Sequence, residues 1–417
     1  MKAGWEIKLL SELSEVITKG TTPTSVGFKF LEKGVNFVKI ESISENGKFI
    51  KEKFAYISTE AHKALKRSKL KEGDILFSIA GALGRTAIVT NDILPANTNQ
   101  ALSIIRLKEN PELLTNYVFS ALTSGYALEQ INNLKGGVAQ QNLSLGQMKS
   151  FQIPIPPLTE QKQIVAILDK AFAAIDQAIA NIEKNIQNAQ ELFQSKLNEI
   201  FSQKGEGWEE EIFDNVISSS LIGLVRNSKQ QSNEFSFRYF KMSNIKNENG
   251  MDESKFTYIE ASTDEVNKYS LKNGDFLFNT RNSYELVGKT CVYKSTYKAP
   301  VLFNNNILRV KFKDFLLSEF VAYAFCSPKV KSDLENMKSG TTSVVGIYYK
   351  SLKNLKIPIA PVQIQKEIVH ELELFENQKD CVINIFKNKL ASLDELKKSI
   401  LQKAFAGELT ENKEYHA

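Results

Sequence analysis

Side chains able to do covalent chemistry are few in this sequence and stand far apart. The cysteines are Cys291, Cys326 and Cys381, the histidines His62, His370 and His416, and none of them falls at zinc-ligand spacing. No metal site is expected. Three scattered histidines supply no Ser-His-Asp set, and no spaced carboxylates suggest a two-metal nuclease. Gly288-Lys289-Thr290 looks like part of a phosphate loop, but the glycine needed five places earlier is Ser283, which leaves the cradle incomplete. The Asn-Pro-Pro-Tyr or Asp-Pro-Pro-Tyr motif of adenine methyltransferases is absent, as is a glycine-rich cofactor loop. No catalytic residue and no cofactor are therefore nominated.

What the sequence does cluster is polar side chains with paired donors and acceptors, of the kinds that distinguish base edges in a DNA groove: Arg or Lys on guanine, Asn or Gln on adenine, Thr against thymine methyls. In the first half these are Lys19, Thr21, Thr22 and Thr24, then Arg85, then Asn97, Asn99 and Gln100, then Gln140, Gln141 and Asn142. In the second half they are Arg226 and Lys229, then Arg281, Asn282, Tyr284 and Lys289, then Asn304, Asn305 and Asn306, then Lys338, Thr341, Thr342 and Ser343. Arg85 and Arg281, each at a strand exit beside Gly or Asn, read as free to reach outward. Gly, Asn, Thr and Ser also fill turns for backbone reasons alone, so the surrounding elements have to decide between the two readings.

Those elements are written twice. The first half aligns with the second at a shift of about 201 to 205 residues: Gly4-Trp5-Glu6 returns as Gly207-Trp208-Glu209, Gly73-Asp74-Ile75-Leu76-Phe77 as Gly274-Asp275-Phe276-Leu277-Phe278, and Ile153-Pro154-Ile155-Pro156-Pro157 as Ile357-Pro358-Ile359-Ala360-Pro361. Gln161-Lys162 pairs with Gln365-Lys366, and Leu197 and Phe201 with Leu401 and Phe405, at a constant shift of 204. Each half reads as a mixed α/β (α+β) globular domain with short apolar strands such as Asp74 to Ala80 and Leu102 to Leu107, followed by one long helix. The proline-rich segments at 154–157 and 358–361 cannot lie inside a helix but suit the position before one, with Thr159 as a plausible N-cap.

From Val165 apolar residues recur every seven places as Val165, Phe172, Ile179, Ile186, Phe193 and Ile200, with Leu168, Ile175, Ile182 and Ala189 interleaved, the pattern of a coiled-coil seam. The second segment is looser: Ile368, Leu372, Phe375, Val382, Phe386, Leu393, Leu396 and Ile400 fit one stripe, interrupted by Lys379 and Lys389. A helix of about 45 residues with such a stripe needs a partner, and the nearest is the other. Two-fold related repeats would pair the helices antiparallel, with the domains at opposite ends of struts roughly 65 Å long.

Charge follows the same division. Residues 1–157 hold 19 Lys+Arg against 14 Asp+Glu and residues 207–361 hold 21 against 17, whereas 158–206 and 362–417 are each acidic by two. The net charge of +5 is too mild to announce nucleic-acid binding, yet the positive charge sits in the domains. No apolar run approaches the roughly 20 residues that cross a bilayer, and the polar start argues against a secretion signal, so a cytoplasmic protein without a membrane partner is expected.

Taken together these features resemble the specificity subunits of type I restriction-modification systems, over essentially the whole chain. Lys19-Gly20-Thr21-Thr22-Pro23-Thr24 is similar to the Gly-Thr-Pro loop near the start of such recognition domains. Gly73-Asp74-Ile75-Leu76 with Gly84-Arg85, and Asn97-Thr98-Asn99-Gln100, resemble two further landmarks. Ile153 to Val165 is similar to the family's first conserved helix start, and Ser399-Ile400-Leu401-Gln402-Lys403-Ala404-Phe405-Ala406-Gly407-Glu408-Leu409-Thr410 to its closing signature. The second domain departs from the pattern: Ser218 to Lys229 lacks a Thr-Thr-Pro element, and Gly340-Thr341-Thr342-Ser343 differs from Gly136-Gly137-Val138-Ala139.

The resemblance implies target recognition domains at 1–157 and 207–361, spacer helices at 158–206 and 362–410, and a tail at 411–417. Each domain would read half of a split double-stranded DNA site, and the helices would dock two methyltransferase subunits, with restriction and translocation subunits joining that core. The chain would then be a non-catalytic part of an adenine methyltransferase and type I deoxyribonuclease complex. The rival reading is a duplicated coiled-coil adaptor that binds protein and does not recognise DNA.

Overall fold

A computed structural model describes residues 2–110, 113–134, 142–203, 205–247, 249–340 and 344–410. The chain divides into two compact units, Met1–Ile182 with Lys387–Ala417, and Glu183–Phe386. Both boundaries fall inside long helices, Leu158–Ser202 and Val362–Ala406.

In the first unit an antiparallel sheet runs in the order Ser14–Lys19, Leu102–Leu107, Ile75–Ser78, Thr86–Ile88. Every residue of Ile75–Ser78 is buried, because apolar layers cover both sheet faces: Ile75 and Phe77 pack on one side with Tyr117, Phe151 and Leu168, Leu76 on the other with Val38, Val89 and Ile104. A second sheet, Ala55–Ile57, Val35–Val38, Ala96–Thr98, joins an antiparallel to a parallel pair. The strands Glu6–Leu9 and Gln152–Ile155 pair beside the helix start.

The second unit repeats this order with Ile217–Ile222, Ile307–Phe312, Phe276–Asn279, Thr290–Val292, with Thr257–Ile259, Phe237–Phe240, Val301–Phe303, and with Glu209–Ile212 against Lys356–Ile359. It also holds a small sheet of Arg281–Asn282, Val345–Gly346 and Ser339–Gly340, which the described residues of the first unit match with the bridge of Ala80 to Asn142. The α+β duplication legible in the sequence is thus a duplication of topology.

The shared Gly-Asp motif is structural. Gly73 takes φ +80° and Gly274 φ +91°, the left-handed turn that glycine tolerates best. Asp74 behind the turn is fully buried, accepts from the Lys71 amide at 2.7 Å and receives both arms of Arg106 at 2.7 Å. Asp275 likewise accepts from the Lys272 amide at 2.8 Å, but Arg309 stays at 3.9 Å and Lys311 at 4.0 Å. Burial therefore pushes the Asp275 carboxyl up, against the pull of those weaker partners.

The duplicated glutamines seat the long helices. Gln161 is fully buried, donating to the Pro156 carbonyl at 2.9 Å and accepting from the Leu114 amide at 3.1 Å. Gln365 does the same with Ala360 at 2.7 Å and Leu317 at 2.9 Å. The first helix begins one residue before Thr159, and the Pro157 carbonyl accepts from the amides of Glu160 and Gln161. Thr159 is therefore in the first turn and is not the N-cap. Proline, with its fixed φ, serves there because a residue ahead of the helix needs to offer only a carbonyl. Glu160 in that turn collects Lys2 Nζ at 2.6 Å, Trp5 Nε1 at 3.1 Å and the Thr410 hydroxyl, so both ends of the described chain meet in the first unit.

Within each unit the two helices run antiparallel. In the first, Glu160 meets Thr410 and Asp176 meets Lys397; in the second, Phe193 stacks on Phe375 with ring centroids 6.1 Å apart and Lys196 pairs with Glu371 at 2.9 Å. Burial departs from the expected stripe. Val382 and Leu396 are 41% and 46% exposed, whereas Ile383 and the supposed interruption Lys379 are buried, with the Lys379 ammonium 4.5 Å from the centre of the Phe193 ring. A long lysine stem covers apolar surface while its charge rests on an aromatic face. At the helix ends the domains decide which residues are buried. Ile164 and Leu168, Leu197 and Phe201, and Leu401, Ala404 and Phe405 face the domain cores, at the three- and four-residue spacing of one helix face.

Candidate nucleic-acid interface

The strands bring the nominated loops of each half to one end of its main sheet. In the first unit Ser14–Lys19 and Ile75–Ser78 finish there and Leu102–Leu107 begins there. The Gly20 amide donates to Leu102, Thr21 to Thr98 and Ile79 to Ala101, while Ile79 accepts from Leu143. In the second unit Gly223 donates to Ile307, Leu224 to Phe303 and Thr280 to Asn306, while Thr280 accepts from Ile347. These bonds bundle residues 20–24, 79–85, 99–101 and 142–143, and equally 223–226, 280–289, 304–306 and 344–348. The bundle needs glycine: a Cβ on Gly20 would stand 2.1 Å from the Thr98 carbonyl oxygen, and one on Gly223 2.3 Å from that of Asn304.

At the edge of the first unit Lys19, Thr24, Gln100 and Asn142 are exposed. The Thr22 hydroxyl bonds the Gln100 side-chain oxygen and orients that amide. Asn99 is half-buried, its side-chain oxygen accepting from the Ala101 amide at 3.1 Å. Two nominations are corrected. Asn97 is 0% exposed: its amide nitrogen donates to Leu65 and Ser68, both at 3.1 Å, and its oxygen meets His62, so it braces the sheet from inside. Arg85 is not free to reach outward, since it donates to the Ile43 carbonyl at 3.3 Å and lies 3.7 Å from Glu45. Gln140 and Gln141 lie outside the described residues.

The second edge exposes Lys229, Arg281 and Tyr284, with Asn282, Lys289, Asn305 and Asn306 half-buried. Burial pulls the Lys289 ammonium below its ordinary value. Asn304, 7% exposed, is corrected for the same reason as Asn97: it donates to Tyr239 Oη at 3.0 Å and accepts from the Asn306 amide at 2.8 Å. Arg226 is corrected as Arg85 is: one guanidinium nitrogen stands 2.8 Å from both Glu265 oxygens and donates to the Glu260 carbonyl at 3.1 Å. That contact holds the Glu265 carboxyl below its ordinary value. Lys338 lies over the Tyr284 ring at 4.2 Å and pairs with Glu335 at 2.6 Å. Thr341, Thr342 and Ser343 lie outside the described residues.

Sequence reasoning missed Arg67, Tyr348 and Gly346. Arg67 is exposed and donates to the Thr21 hydroxyl at 3.0 Å; the Lys66-Arg67 pair was a signal, but its partner loop is 46 residues away. Tyr348 is exposed beside Arg281, whose guanidinium carbon is 5.5 Å from the ring centre. Among the described residues no group of three His, Cys, Asp or Glu side chains could hold a metal ion, and no helix is long and apolar enough to cross a membrane.

The model of the type I restriction modification DNA specificity domain matches residues 2–188 and again 206–390. The chain is similar to the EcoKI specificity subunit of Escherichia coli K12, 26% identical over 98% of this chain and 89% of that one. It is also similar to the StySPI specificity subunit of Salmonella potsdam, 25% identical over the same shares. Among solved structures, a chain from work on complex assembly and conformational transition of the type I R-M system superposes with a TM-score of 0.76 at 21% identity, covering 98% of this chain and 99% of that one. The HsdS subunit of Thermoanaerobacter tengcongensis gives 0.54 at 19%, covering 98% of each. At those identities the structures speak for the fold.

Proposed function

The chain belongs to the type I restriction-modification DNA specificity family, carrying the domain twice, and from that premise we propose that residues 1–157 and 207–361 are two target recognition domains, each reading one half of a bipartite duplex site. It is a DNA-recognition specificity subunit, a non-catalytic member of such a system. The observation that carries the two-reader assignment is one strand-end framework with the same backbone bonds in both halves presenting different side chains, Thr22, Gln100 and Asn142 in one, Arg281, Tyr284 and Tyr348 in the other. A scaffold binding two copies of one protein would need the two faces alike; a reader of two unlike half-sites needs them different.

Segments 158–206 and 362–410 then serve as spacer and as the docking surface for two methyltransferase subunits, with restriction and translocation subunits joining through them and 411–417 as a tail. Exposed apolar residues on the helices, among them Leu192, Leu374 and Ile385, support a protein partner there. In the methyltransferase complex the chain supplies sequence choice and its partners supply methyl transfer.

Mapping methylated adenines in cells expressing the chain with its modification subunits tests this. The expected result is a motif of two specified blocks separated by a fixed unspecified gap. A single uninterrupted block, or binding without sequence preference, overturns it. With purified complex, affinity should fall steeply with salt, log K dropping by about 0.9 per phosphate contact for each unit of log salt.

A further inference from the structure

Resting on the two-reader assignment, we propose that Arg281 specifies a guanine in the half-site of the 207–361 domain, presented beside the ring of Tyr348. Four arginines of the described residues lie at or near the two edges, and their surroundings separate them. Arg226 is committed to Glu265 and Glu260 and Arg85 to Ile43 and Glu45, while Arg67, exposed, gives one nitrogen to the Thr21 hydroxyl and has no aromatic ring behind it among the described residues. Arg281 is exposed and pairs with no carboxylate among the described residues.

Its mounting is specific. Arg281 stands opposite Gly346 in the small sheet, and two residues on the Tyr348 ring closes over that glycine. A Cβ at Gly346 would lie 3.0 Å from the ring's Cζ and 3.2 Å from its Cε2 and Oη, so only glycine lets the ring lie there undisturbed. The ring then backs the guanidinium at 5.5 Å, a cation–π contact that limits the side chain's freedom and leaves its N–H fork for a ligand. A planar fork so held matches the O6 and N7 acceptors of guanine, whereas a phosphate contact needs only charge and reach. The first unit occupies the same framework position differently. The bridge there is Ala80 with Asn142, so an exposed Asn replaces the Gly and an Ala replaces the Arg. The two half-sites are therefore read by unlike chemistry at equivalent places.

The test uses the full chain in complex with its modification subunits, comparing wild type, Arg281→Ala, Arg281→Lys, Tyr348→Phe and Tyr348→Ala. Methylated motifs are mapped, and binding is measured to duplexes carrying each of the four bases at every specified position. In wild type one half-site should hold a guanine preferred by about 5- to 150-fold over other bases. Arg281→Ala should erase that preference at one position and leave the other block intact. Arg281→Lys should keep binding but lose most of the preference, which decides the matter if the alanine variant binds too weakly to measure. Tyr348→Phe should preserve the preference and Tyr348→Ala weaken it at the same position. Uniform weakening by Arg281→Lys or Arg281→Ala with the motif unchanged identifies a phosphate contact and overturns the assignment, as does a wild-type motif whose affected block contains no guanine. A wild-type motif without two blocks overturns the two-reader assignment and this one with it.

Discussion

Asp74 and Asp275 occupy the same turn behind the same strand, yet one carboxylate is gripped by both arms of an arginine at 2.7 Å and the other has its cations at 3.9 and 4.0 Å. At the opposite end of the same strands the first unit pairs Ala80 with Asn142 where the second pairs Arg281 with Gly346. The comparison separates what the duplication holds constant from what it lets drift. Backbone bonds that bundle the strand ends persist in both units, because losing one strands a buried amide or carbonyl. Side chains beyond those bonds are free to differ, and the electrostatics of the interior differ with them.

The largest effect should come from Asp74→Ala, which leaves Arg106 without its acceptor in a buried setting. Chemical denaturation should show a loss of about 3 to 5 kcal/mol, against about 1 to 2 kcal/mol for Asp275→Ala. Equal losses would break the contrast between the turns. Next, Gln100→Ala should cost on the order of 1 to 3 kcal/mol of discrimination in the half-site of the 1–157 domain only, read from mapped methylation motifs; a change in the other block would deny the domains their independence. Arg226→Ala should alter stability by about 1 kcal/mol, since its partly exposed pair with Glu265 is screened by solvent, and should leave both blocks of the motif unchanged. A shifted motif would return Arg226 to the list of base readers. The smallest effect concerns pH. The folded Asp275 carboxyl titrates above its unfolded value, so its contribution to stability is full below the ordinary aspartate range and is lost as pH rises through the elevated folded value. Asp275→Asn should remove that downward slope, and a stability-versus-pH curve identical to wild type would contradict it.

Much of this was legible in the residues. The repeat at a constant shift of 204 through Gln161 and Gln365 announced the duplication, and the apolar stripes of the long helices required partners. Seam residues were less legible. Val382 and Leu396 looked buried and Lys379 did not, because a heptad count cannot know that the Phe193 ring waits for the Lys379 ammonium. Among candidate readers, Asn97 and Asn304 were indistinguishable in sequence from Asn142, and Arg85 from Arg281. Their fates depend on Leu65, Tyr239 and Ile43, which lie 32, 65 and 42 residues away.

The sequence by itself determined the tandem architecture, since periodic burial and turn chemistry are local properties repeated at fixed spacing. Only the tertiary structure decided which polar side chains are spent inside and which remain for a ligand. A donor or acceptor has a fixed capacity, and whether a distant carbonyl or carboxylate has already taken it is a fact of three-dimensional contact.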